Sequence, residues 1–512
     1  MDNSSRANRI FRGTVIIVFV GILAKFASFI SEAVMAAYLG TTYQSDAYYM
    51  ISSIHGVVYP MMSIGIWRVF LPLYKSHVAK KEIATANALT DKALTFFTAI
   101  SLIVVFLLII FAPQVVSVVA PGFKGVTREL CIKLVRISAP MYVFIIASAV
   151  YAAVLRCHDK FLGSQIREVA SHIPTIIAAI FFYRTFGIEA MAVALVVAGI
   201  LRLLIELPFV DWGYRYKPDF SFRTEEFNVM LKRLPSALLS AGVAELNTLI
   251  DKAMASTLPA GAISALNYGN KLRNVFSGLL SSAISTALFP QMVELIALDK
   301  KQELSRLMLK IINIFCVLMI PVSLACVLFR TELVSVVFER GAFGHESTAL
   351  TASIFALYTL SLFSAACNSV VSNIFYGFGD TRTPMQISVV NLGLNVALNF
   401  LMINRLGAAG LALATSISSV VTLLIRIVAS EKYVELEIRS MASTAGKVVL
   451  ASIVACVIPR IIFWVYPINK YFVLFISAIM GIAIYYLCVK LLKVREIDDL
   501  ISLFGKRLKK AK

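Results

Sequence analysis

Long apolar segments, separated by short polar breaks, recur along nearly the whole 512-residue chain. A helix of about 20 apolar residues is long enough to cross the hydrocarbon core of a bilayer. About fourteen such segments can be distinguished, with centres near Leu23, Val58, Ile103, Phe144, Ile176, Val196, Ser240, Leu279, Met319, Leu360, Val390, Ser416, Ile453 and Ile479. We therefore predict an all-α polytopic membrane protein with about 14 transmembrane helices.

The composition supports a membrane protein. Hydrophobic residues make up 59% of the chain and charged residues only 15%, whereas soluble domains average about 45–50% apolar and ~25% charged residues. The 7 cysteines show no CxxC spacing. We interpret them as small packing residues rather than as disulfide partners or metal ligands.

Positive charge is concentrated in alternate loops. One set of loops is basic and includes the C-terminal sequence KRLKKAK (506–512); these loops lie around Lys80, Lys217, Lys300 and Lys432. The intervening loops, at Lys124 and Arg340, contain fewer basic residues. By the positive-inside rule, the basic loops and both termini are predicted to be cytoplasmic. The net charge of +19 is thereby explained by topology, and no nucleic-acid partner is predicted.

Two pairs of segments indicate an internal repeat. FGIEAMAVALVVAGILRLLI (186–205) aligns with LGAAGLALATSISSVVTLLI (406–425), and FLPLYKSHVAKKE (70–82) resembles LFPQMVELIALDKKQE (288–303). Because both offsets are close to 220 residues, a duplication is indicated.

The repeat predicts two six-helix lobes. We expect an N-terminal lobe at 1–218 (spans 1–6), a C-terminal lobe at 219–438 (spans 7–12), and a region at 439–512 with spans 13–14 and the basic cytoplasmic tail. Six crossings per lobe give both lobes the same orientation, so they are related by an axis along the membrane normal. Transporters of this architecture handle substrate where the lobes face each other.

Two charges interrupt the first apolar segment, Thr14–Gly40. Lys25 and Glu32 are seven residues apart, so they project from one helical face. An ionised side chain near the bilayer centre costs at least ~2.5 kcal/mol, and Lys25 lies too deep for its ammonium group to reach the interface easily. We therefore expect Lys25 to face a polar cavity. Glu32 is predicted to pair with Lys25 or with a cation of the other lobe; the alternative is an ion pair that only fixes helix packing.

Five short motifs, in this order and spacing, resemble the MurJ/MviN family of the multidrug, oligosaccharidyl-lipid and polysaccharide exporter superfamily. They are SDAYYM (45–50), APGF (120–123), YGNKL (268–272), FERGAFG (338–344) and FGDTRTP (378–384). Members of that family flip lipid II, the undecaprenyl-linked peptidoglycan precursor, across the bacterial plasma membrane. The resemblance extends over nearly the whole chain and implies a transporter rather than an enzyme.

The resemblance also implies a cationic cavity for the diphosphate headgroup. Lys25 and Lys271 match positions that are cationic in the family, and Asp46 matches an acidic position. Glu32 shares the face of Lys25 and joins the candidate substrate-binding set. Arg273 also belongs to it, although it lies about 200° around the helix from Lys271 and is not expected to share its face. Fixed cations are needed there because a diphosphate is poorly solvated at low dielectric constant.

Some family cations are missing. Ser31 stands where relatives have a second arginine on the first helix, and the segment 52–72 lacks the usual arginines and glutamate of the second helix. The predicted cavity is therefore less cationic than in the family, which leaves another polyprenyl-diphosphate-linked glycan open as the substrate.

A sodium site is described in the family on helices 7, 11 and 12. Asp251, Asn391, Asn395 and Thr415 match that pattern, and their carboxylate, amide and hydroxyl oxygens suit a hard cation. The alternative is that these amides only form hydrogen bonds between helices. No other metal and no cofactor is predicted.

The sequence bears on three classes of function. The leading hypothesis is a flippase for an undecaprenyl-diphosphate-linked glycan, working as a monomer in the bacterial plasma (inner) membrane among its lipids. The second is a cation-coupled exporter of other lipid-linked polysaccharide units or small amphipathic molecules. A membrane enzyme would need paired acidic or acid–base residues near a membrane face, and the sequence contains no such pair.

Overall fold

The computed structural model describes the backbone of residues 3–210, 214–436, 438–465, 469–494 and 496. Within these ranges, side chains are described except at 3–18, 161, 225–226, 233, 235–244, 279–289 and 438–440. The predicted basic tail at 506–512 lies outside the described residues. Every regular element in the described ranges is helical, which confirms the predicted all-α class.

The chain divides into two compact units, of which the first comprises residues 1–264 and 340–343. Its helices are α1 (Asn3–Leu39), α2 (Tyr43–Gly65), α3 (Leu71–Ala79), α4 (Ile83–Ile110), α5 (Ala112–Val119), α6 (Gly125–Ser138), α7 (Met141–Cys157), α8 (Phe161–Ala170), α9 (Ile173–Ile177), α10 (Tyr183–Phe186), α11 (Glu189–Glu206) and α12 (Glu225–Ala255). A π-helical turn, Ile66–Phe70, continues α2 into α3, and a second, Ala178–Phe182, joins α9 to α10.

The core of the first unit lies between α2, α3, α4 and α7. Its large side chains include Phe70, Tyr74, Phe97 and Tyr142, all nearly inaccessible. Lipid tails are as apolar as these side chains, so close packing rather than exclusion from water stabilises the part of the core within the membrane. The core fixes α2, which carries the candidate site residue Asp46.

The second unit comprises residues 265–339 and 344–512 and begins within α13. Its helices are α13 (Ala262–Ala297), α14 (Lys301–Leu328), α15 (Arg330–Phe338), α16 (His345–Thr359), α17 (Leu362–Gly377), α18 (Arg382–Ser430), α19 (Ile438–Val465) and α20 (Lys470–Leu491). Ile311, Phe315, Ile374 and Phe375 centre its main core between α14 and α17. A smaller cluster with Val448 and Val489 attaches α19 and α20 to α14.

Membrane-length helices recur along the described residues. Nine helical segments are long and apolar enough to span a membrane, and two bent pairs, α6–α7 (43°) and α16–α17 (42°), raise that number to eleven if each pair is one span. This confirms a multi-pass membrane protein. The predicted count of about fourteen spans stays a prediction.

Helix α18 contains a break. Gly407 has φ 56° and ψ −137°, which is not helical, so two helices meet there within Arg382–Ser430. The two spans predicted around Val390 and Ser416 lie on either side of this break.

The units and the predicted lobes have different boundaries. In the repeat, α12 belongs to the lobe at 219–438, whereas by its contacts α12 belongs to the first unit, where it packs along α2. The units report which helices touch, while the repeat concerns ancestry, so the lobes at 1–218 and 219–438 stay a prediction.

A tight turn orients α2. Gly40 ends α1 with φ +57°, a conformation that favours glycine, and its N–H still bonds the Ala36 carbonyl at 2.8 Å. Thr42 and Ser45 then form a reciprocal capping box: Ser45 Oγ accepts from Thr42 N–H at 2.8 Å, and Thr42 Oγ1 accepts from Ser45 N–H at 3.3 Å. This start places Asp46 in the first turn of α2.

The connection between α11 and α12 runs against α4. Asp91 accepts hydrogen bonds from the Tyr214 hydroxyl at 2.7 Å and the Lys217 N–H at 3.0 Å. One turn further along α4, Thr95 Oγ1 accepts the Asp219 N–H at 3.1 Å. The connection is thus attached to α4 over several residues.

Asp380 caps the start of α18. Its carboxylate accepts hydrogen bonds from the backbone N–H groups of Thr383 and Arg382, the Thr383 hydroxyl and the Tyr433 hydroxyl. These bonds, the Thr383 backbone bond first, lower the pKa of Asp380 from its ordinary 3.8 to about 2. Asp380 therefore binds the first turn of α18 as a carboxylate.

Candidate substrate and cation sites

Lys25 and Glu32 occupy different environments along α1. The Lys25 side chain is exposed, next to the exposed Ile22 and Phe26. Glu32 is half-buried, and its Oε2 accepts a hydrogen bond from the Tyr49 hydroxyl at 2.7 Å. Glu32 therefore joins α1 to α2 through an uncharged partner. Neither predicted role of Glu32 included this contact.

A buried lysine that the sequence analysis did not select lies next to this contact. Lys252 is 8% exposed, and its Nζ donates to the Tyr49 carbonyl at 3.3 Å and lies 5.9 Å from the centre of the Tyr49 ring. Lys252 is in the last turn of α12, where a cation is favoured by the helix dipole. The available signal was its place beside Asp251 within an apolar stretch.

Asp46 is engaged with backbone groups at the start of α13. It is 3% exposed; Oδ2 accepts the Gly261 N–H at 2.6 Å and Oδ1 accepts the Ser264 N–H at 2.7 Å. Gly261 has φ +97°, and a Cβ there would lie 2.6 Å from the Thr41 carbonyl oxygen, so glycine is required. A carboxylate at a helix N-terminus is stabilising. These contacts favour a structural role, and substrate binding by Asp46 stays a prediction.

Lys271 and Arg273 lie on α13 within the second unit. Both side chains are half-buried, while the intervening Leu272 is 3% exposed. Arg273 Nη1 donates to its neighbour Asn274 at 3.1 Å. Both cations are therefore partly accessible, as a ligand-binding role requires, but that role stays a prediction.

The four predicted sodium ligands are divided between the units. Asp251 is buried on α12 in the first unit, and the other three lie on α18 in the second. Asn395 Nδ2 donates to Thr415 Oγ1 at 3.3 Å, while Asn391 Oδ1 accepts from the Thr422 hydroxyl at 2.8 Å.

Two further polar residues join this set on α18. Thr422 bonds Asn391, and Asn399, which is fully buried, donates to Asn395 Oδ1 at 3.1 Å. The Thr422–Asn391 and Asn395–Thr415 bonds join the two helices that meet at Gly407, as the alternative to a cation site expects, whereas the Asn399–Asn395 bond lies within one helix. In the described part of the chain, no group of three or more His, Cys, Asp or Glu residues could hold a metal ion. A sodium site made mainly of amide and hydroxyl oxygens stays a prediction.

A family model matches most of the chain. Residues 35–483 match the model described as lipid II flippase MurJ. The probable lipid II flippase MurJ of Rickettsia prowazekii is 25% identical over 507 residues, which cover 96% of this chain and 99% of that protein. The protein of the same description from Thermotoga maritima is 24% identical over 489 residues, covering 93% of this chain and 96% of its own.

Solved structures of related fold agree. A lipid II flippase MurJ in an inward closed conformation superposes with a TM-score of 0.79 at 21% identity, covering 95% of this chain and 100% of its own. An inward-facing multidrug transporter of the MATE family, in the same superfamily, gives a TM-score of 0.63 at 13% identity and covers 84% of this chain and 99% of its own. The fold is that of these transporters, and the resemblance inferred from the five motifs is confirmed. The chain is a multi-pass membrane protein of the lipid II flippase MurJ family, whose members are transporters and not enzymes.

Proposed function

We propose that this protein is a flippase that moves an undecaprenyl-diphosphate-linked glycan precursor, lipid II for peptidoglycan synthesis, across the bacterial plasma membrane by alternating access. The observation that carries the proposal is the family match over residues 35–483. Relatives that cover nearly the whole chain bear the same description. The substrate is a membrane lipid with a charged headgroup, so the task is to lower the energy of that headgroup inside the bilayer.

Lys25 and Lys271 are the first candidate cations for the headgroup. The Lys25 side chain is exposed and that of Lys271 is half-buried, and their ammonium groups would attract diphosphate oxygens strongly where water is scarce. Arg273 is a further candidate cation. Glu32 and Asp46 are the acidic candidates of the set, although the observed contacts of Asp46 favour a structural role.

Sodium is the proposed coupling ion. Asn395 and Thr415 support this proposal because they already bring an amide and a hydroxyl together on α18. Asn391 and the buried carboxylate of Asp251 are the remaining candidates. Binding of a cation would shift the conformational equilibrium only by its differential affinity for the two states.

The finer arrangement in the membrane follows the charge distribution. We propose cytoplasmic termini, lobes at 1–218 and 219–438 followed by two helices and a basic tail, and a monomeric transporter. The basic loops around Lys80, Lys217, Lys300 and Lys432 support this orientation.

Depletion of the protein from its bacterium tests the function. Lipid extracts analysed by mass spectrometry should show lipid II accumulating, and it should stay inaccessible to a glycan-modifying enzyme added outside spheroplasts. Re-expression of the wild-type chain is the control and should restore access. Accumulation of a different polyprenyl-diphosphate glycan would contradict lipid II as substrate, and no lipid-linked accumulation would favour the exporter of small amphipathic molecules.

A further inference from the structure

A buried charged network joins α7, α8 and α11 of the first unit and contains none of the residues assigned above. Arg167 on α8 contacts Glu206 at the end of α11, with 3.0 Å between Nη1 and Oε1. Ser148 on α7 donates to the other carboxylate oxygen of Glu206 at 2.6 Å and accepts from Arg167 Nη1 at 2.9 Å. Glu206 is 0% exposed and Arg167 is 4% exposed. Both side chains of this pair are therefore buried, but Arg167 Nε has no hydrogen-bond partner among the described residues, so the pair is not fully satisfied.

Glu168, the next residue along α8, differs from Glu206. Its side chain is 41% exposed, and its Oε1 lies 2.6 Å from Arg202 Nη2 and 3.4 Å from Arg167 Nε. One oxygen of this partly exposed carboxylate thus lies between two guanidinium groups. Glu168 and Arg202 both lie within helices of membrane length. Because contact between an ionised side chain and lipid tails is costly, the exposed part of Glu168 is expected to face water or lipid headgroups.

The cluster carries more positive than negative charge. Arg156, at the end of α7, stacks 4.5 Å from the Trp67 ring and is close enough to Arg167 and Glu168 to interact with both electrostatically. Since Glu206 already neutralises Arg167, Arg156 and Arg202 share the single carboxylate of Glu168. A surplus cation at low dielectric attracts a further anion. Guanidinium groups match phosphate oxygens in particular, because they can donate two parallel hydrogen bonds.

The cluster lies at one end of the first unit. Arg156 lies in the last turn of α7, Arg167 lies in the last turn of the short helix α8, and Glu206 ends α11. The loop after α7 contains Lys160 and the segment after α11 contains Lys217, which belong to the basic, proposed cytoplasmic side. An anionic headgroup that enters from the cytoplasm would meet this cluster early.

We propose that Arg167 and Arg202 form an anion subsite for the diphosphate group of the lipid-linked substrate, with Glu168 as its internal occupant. Phosphate oxygens displace the Glu168 carboxylate on binding, and the carboxylate returns on release. Glu168 thereby acts as a built-in competitor that keeps the affinity low enough for turnover. This inference rests on the proposed function. It adds three residues to the proposed substrate-binding set: the acid Glu168 and Arg167 on α8, and Arg202 on α11.

Binding measurements on the purified full-length protein test the subsite. The probes are inorganic pyrophosphate, as the free anion, and lipid II in detergent micelles, as the lipid-linked form. Glu168→Gln removes the competing charge and should tighten both by about tenfold, while Arg202→Gln should weaken both by about tenfold, as expected for one charge-assisted contact. Glu332→Gln is the matched control, because it removes the acidic partner of Arg460 in the second unit and should leave both affinities unchanged.

Three outcomes overturn the inference. Unchanged or weaker binding of both probes by Glu168→Gln would mean that this acid only stabilises the fold. A tightening for pyrophosphate without one for lipid II would assign the subsite to a free anion. If Glu168→Gln and Arg202→Gln both bind lipid II with wild-type affinity, this inference is contradicted but the proposed function is not.

A different result would contradict the proposed function itself. A wild-type protein that does not bind lipid II at all would refute it, whatever the variants do with pyrophosphate. If Arg202→Gln does not fold, Arg202→Lys replaces it, since it keeps the charge but loses the bidentate geometry and should weaken binding partially.

Discussion

The carboxylate of Asp46 accepts the backbone N–H of Ser264 at 2.7 Å, although 218 residues separate the two in sequence. The same carboxylate accepts the Gly261 N–H, so both of its oxygens hold the first turn of α13 against α2 within the first unit. An acidic side chain in a transporter helix is easily assumed to meet substrate or protons. Here its observed contacts are those of a helix cap.

Removal of this cap should destabilise the protein. Asp46→Ala leaves two buried N–H groups without their acceptor, and each unsatisfied group costs about 1–3 kcal/mol. We expect a lower melting temperature of the purified protein with little change in lipid II affinity. Asp299→Asn, at a highly exposed acid, is the control and should melt like the wild type. A normal melting temperature with lost substrate binding would assign Asp46 to the headgroup instead.

The contact between Glu32 and Tyr49 can be measured by a double-mutant cycle. Tyr49→Phe removes the hydroxyl that donates to Glu32, whereas the backbone carbonyl that binds Lys252 is retained. Residues in direct contact usually couple by about 0.5–3 kcal/mol. Unfolding of Tyr49→Phe, Glu32→Gln and the double variant should therefore be non-additive. Additive effects would show that Glu32 is held mainly by other groups.

Lys25→Ala and Lys271→Ala should each abolish transport while the protein is still inserted at normal levels. Loss of a charge-assisted contact to phosphate removes roughly 1.5–3 kcal/mol. Complementation of a depleted strain and immunoblotting of membranes measure the two properties. Lys124→Ala, in an exposed loop, should complement fully. Normal complementation by both test variants would exclude these lysines from headgroup binding.

Sodium should stabilise the protein if Asp251, Asn391, Asn395 and Thr415 bind it. A ligand at 100 times its Kd adds about 2.7 kcal/mol to the native state. We expect a higher melting temperature in sodium chloride than in potassium chloride at equal ionic strength. Asp251→Asn should lose most of this difference. Equal melting temperatures of the wild type in both salts would mean that Asn391, Asn395 and Thr415 form only hydrogen bonds on α18 and that these four residues bind no sodium.

The cap at Asp380 predicts a pH dependence. Because its pKa is lowered to about 2, its stabilisation of α18 is complete above its ordinary pKa of 3.8 and is lost as the pH falls toward 2. The melting temperature of the wild type should exceed that of Asp380→Asn at neutral pH, and the difference should shrink in acid. A difference that is constant across this range would show that the charge of Asp380 does not contribute.

Hydropathy predicted the helices well but not their direction changes. The segment centred on Leu360 is apolar enough for one span, yet Leu360 lies at the bend between α16 and α17. A count of apolar residues indicates which segments can lie in the bilayer, but it does not indicate where a helix axis changes direction. The break at Gly407 was easier to anticipate, because a repeated segment begins at residue 406 and separate apolar segments are centred near Val390 and Ser416.

The sequence selected candidate residues but not their contacts. The family resemblance selected Asp46 and Asn395, and the face shared with Lys25 selected Glu32, whereas their partners Ser264, Asn399 and Tyr49 were not selected. Such partners are ordinary residues whose role depends on tertiary proximity. Lys252 was missed for the same reason, since only the fold shows that it is buried against α2.

The attachment of Tyr214 and Lys217 to Asp91 has a mechanical consequence. Asp91 and Thr95 fix the connection between α11 and α12 to α4 as far as Asp219, so only the few residues between Asp219 and the start of α12 can change conformation when α12 moves. A shift of α12 along its axis is therefore transmitted to α4 with little loss.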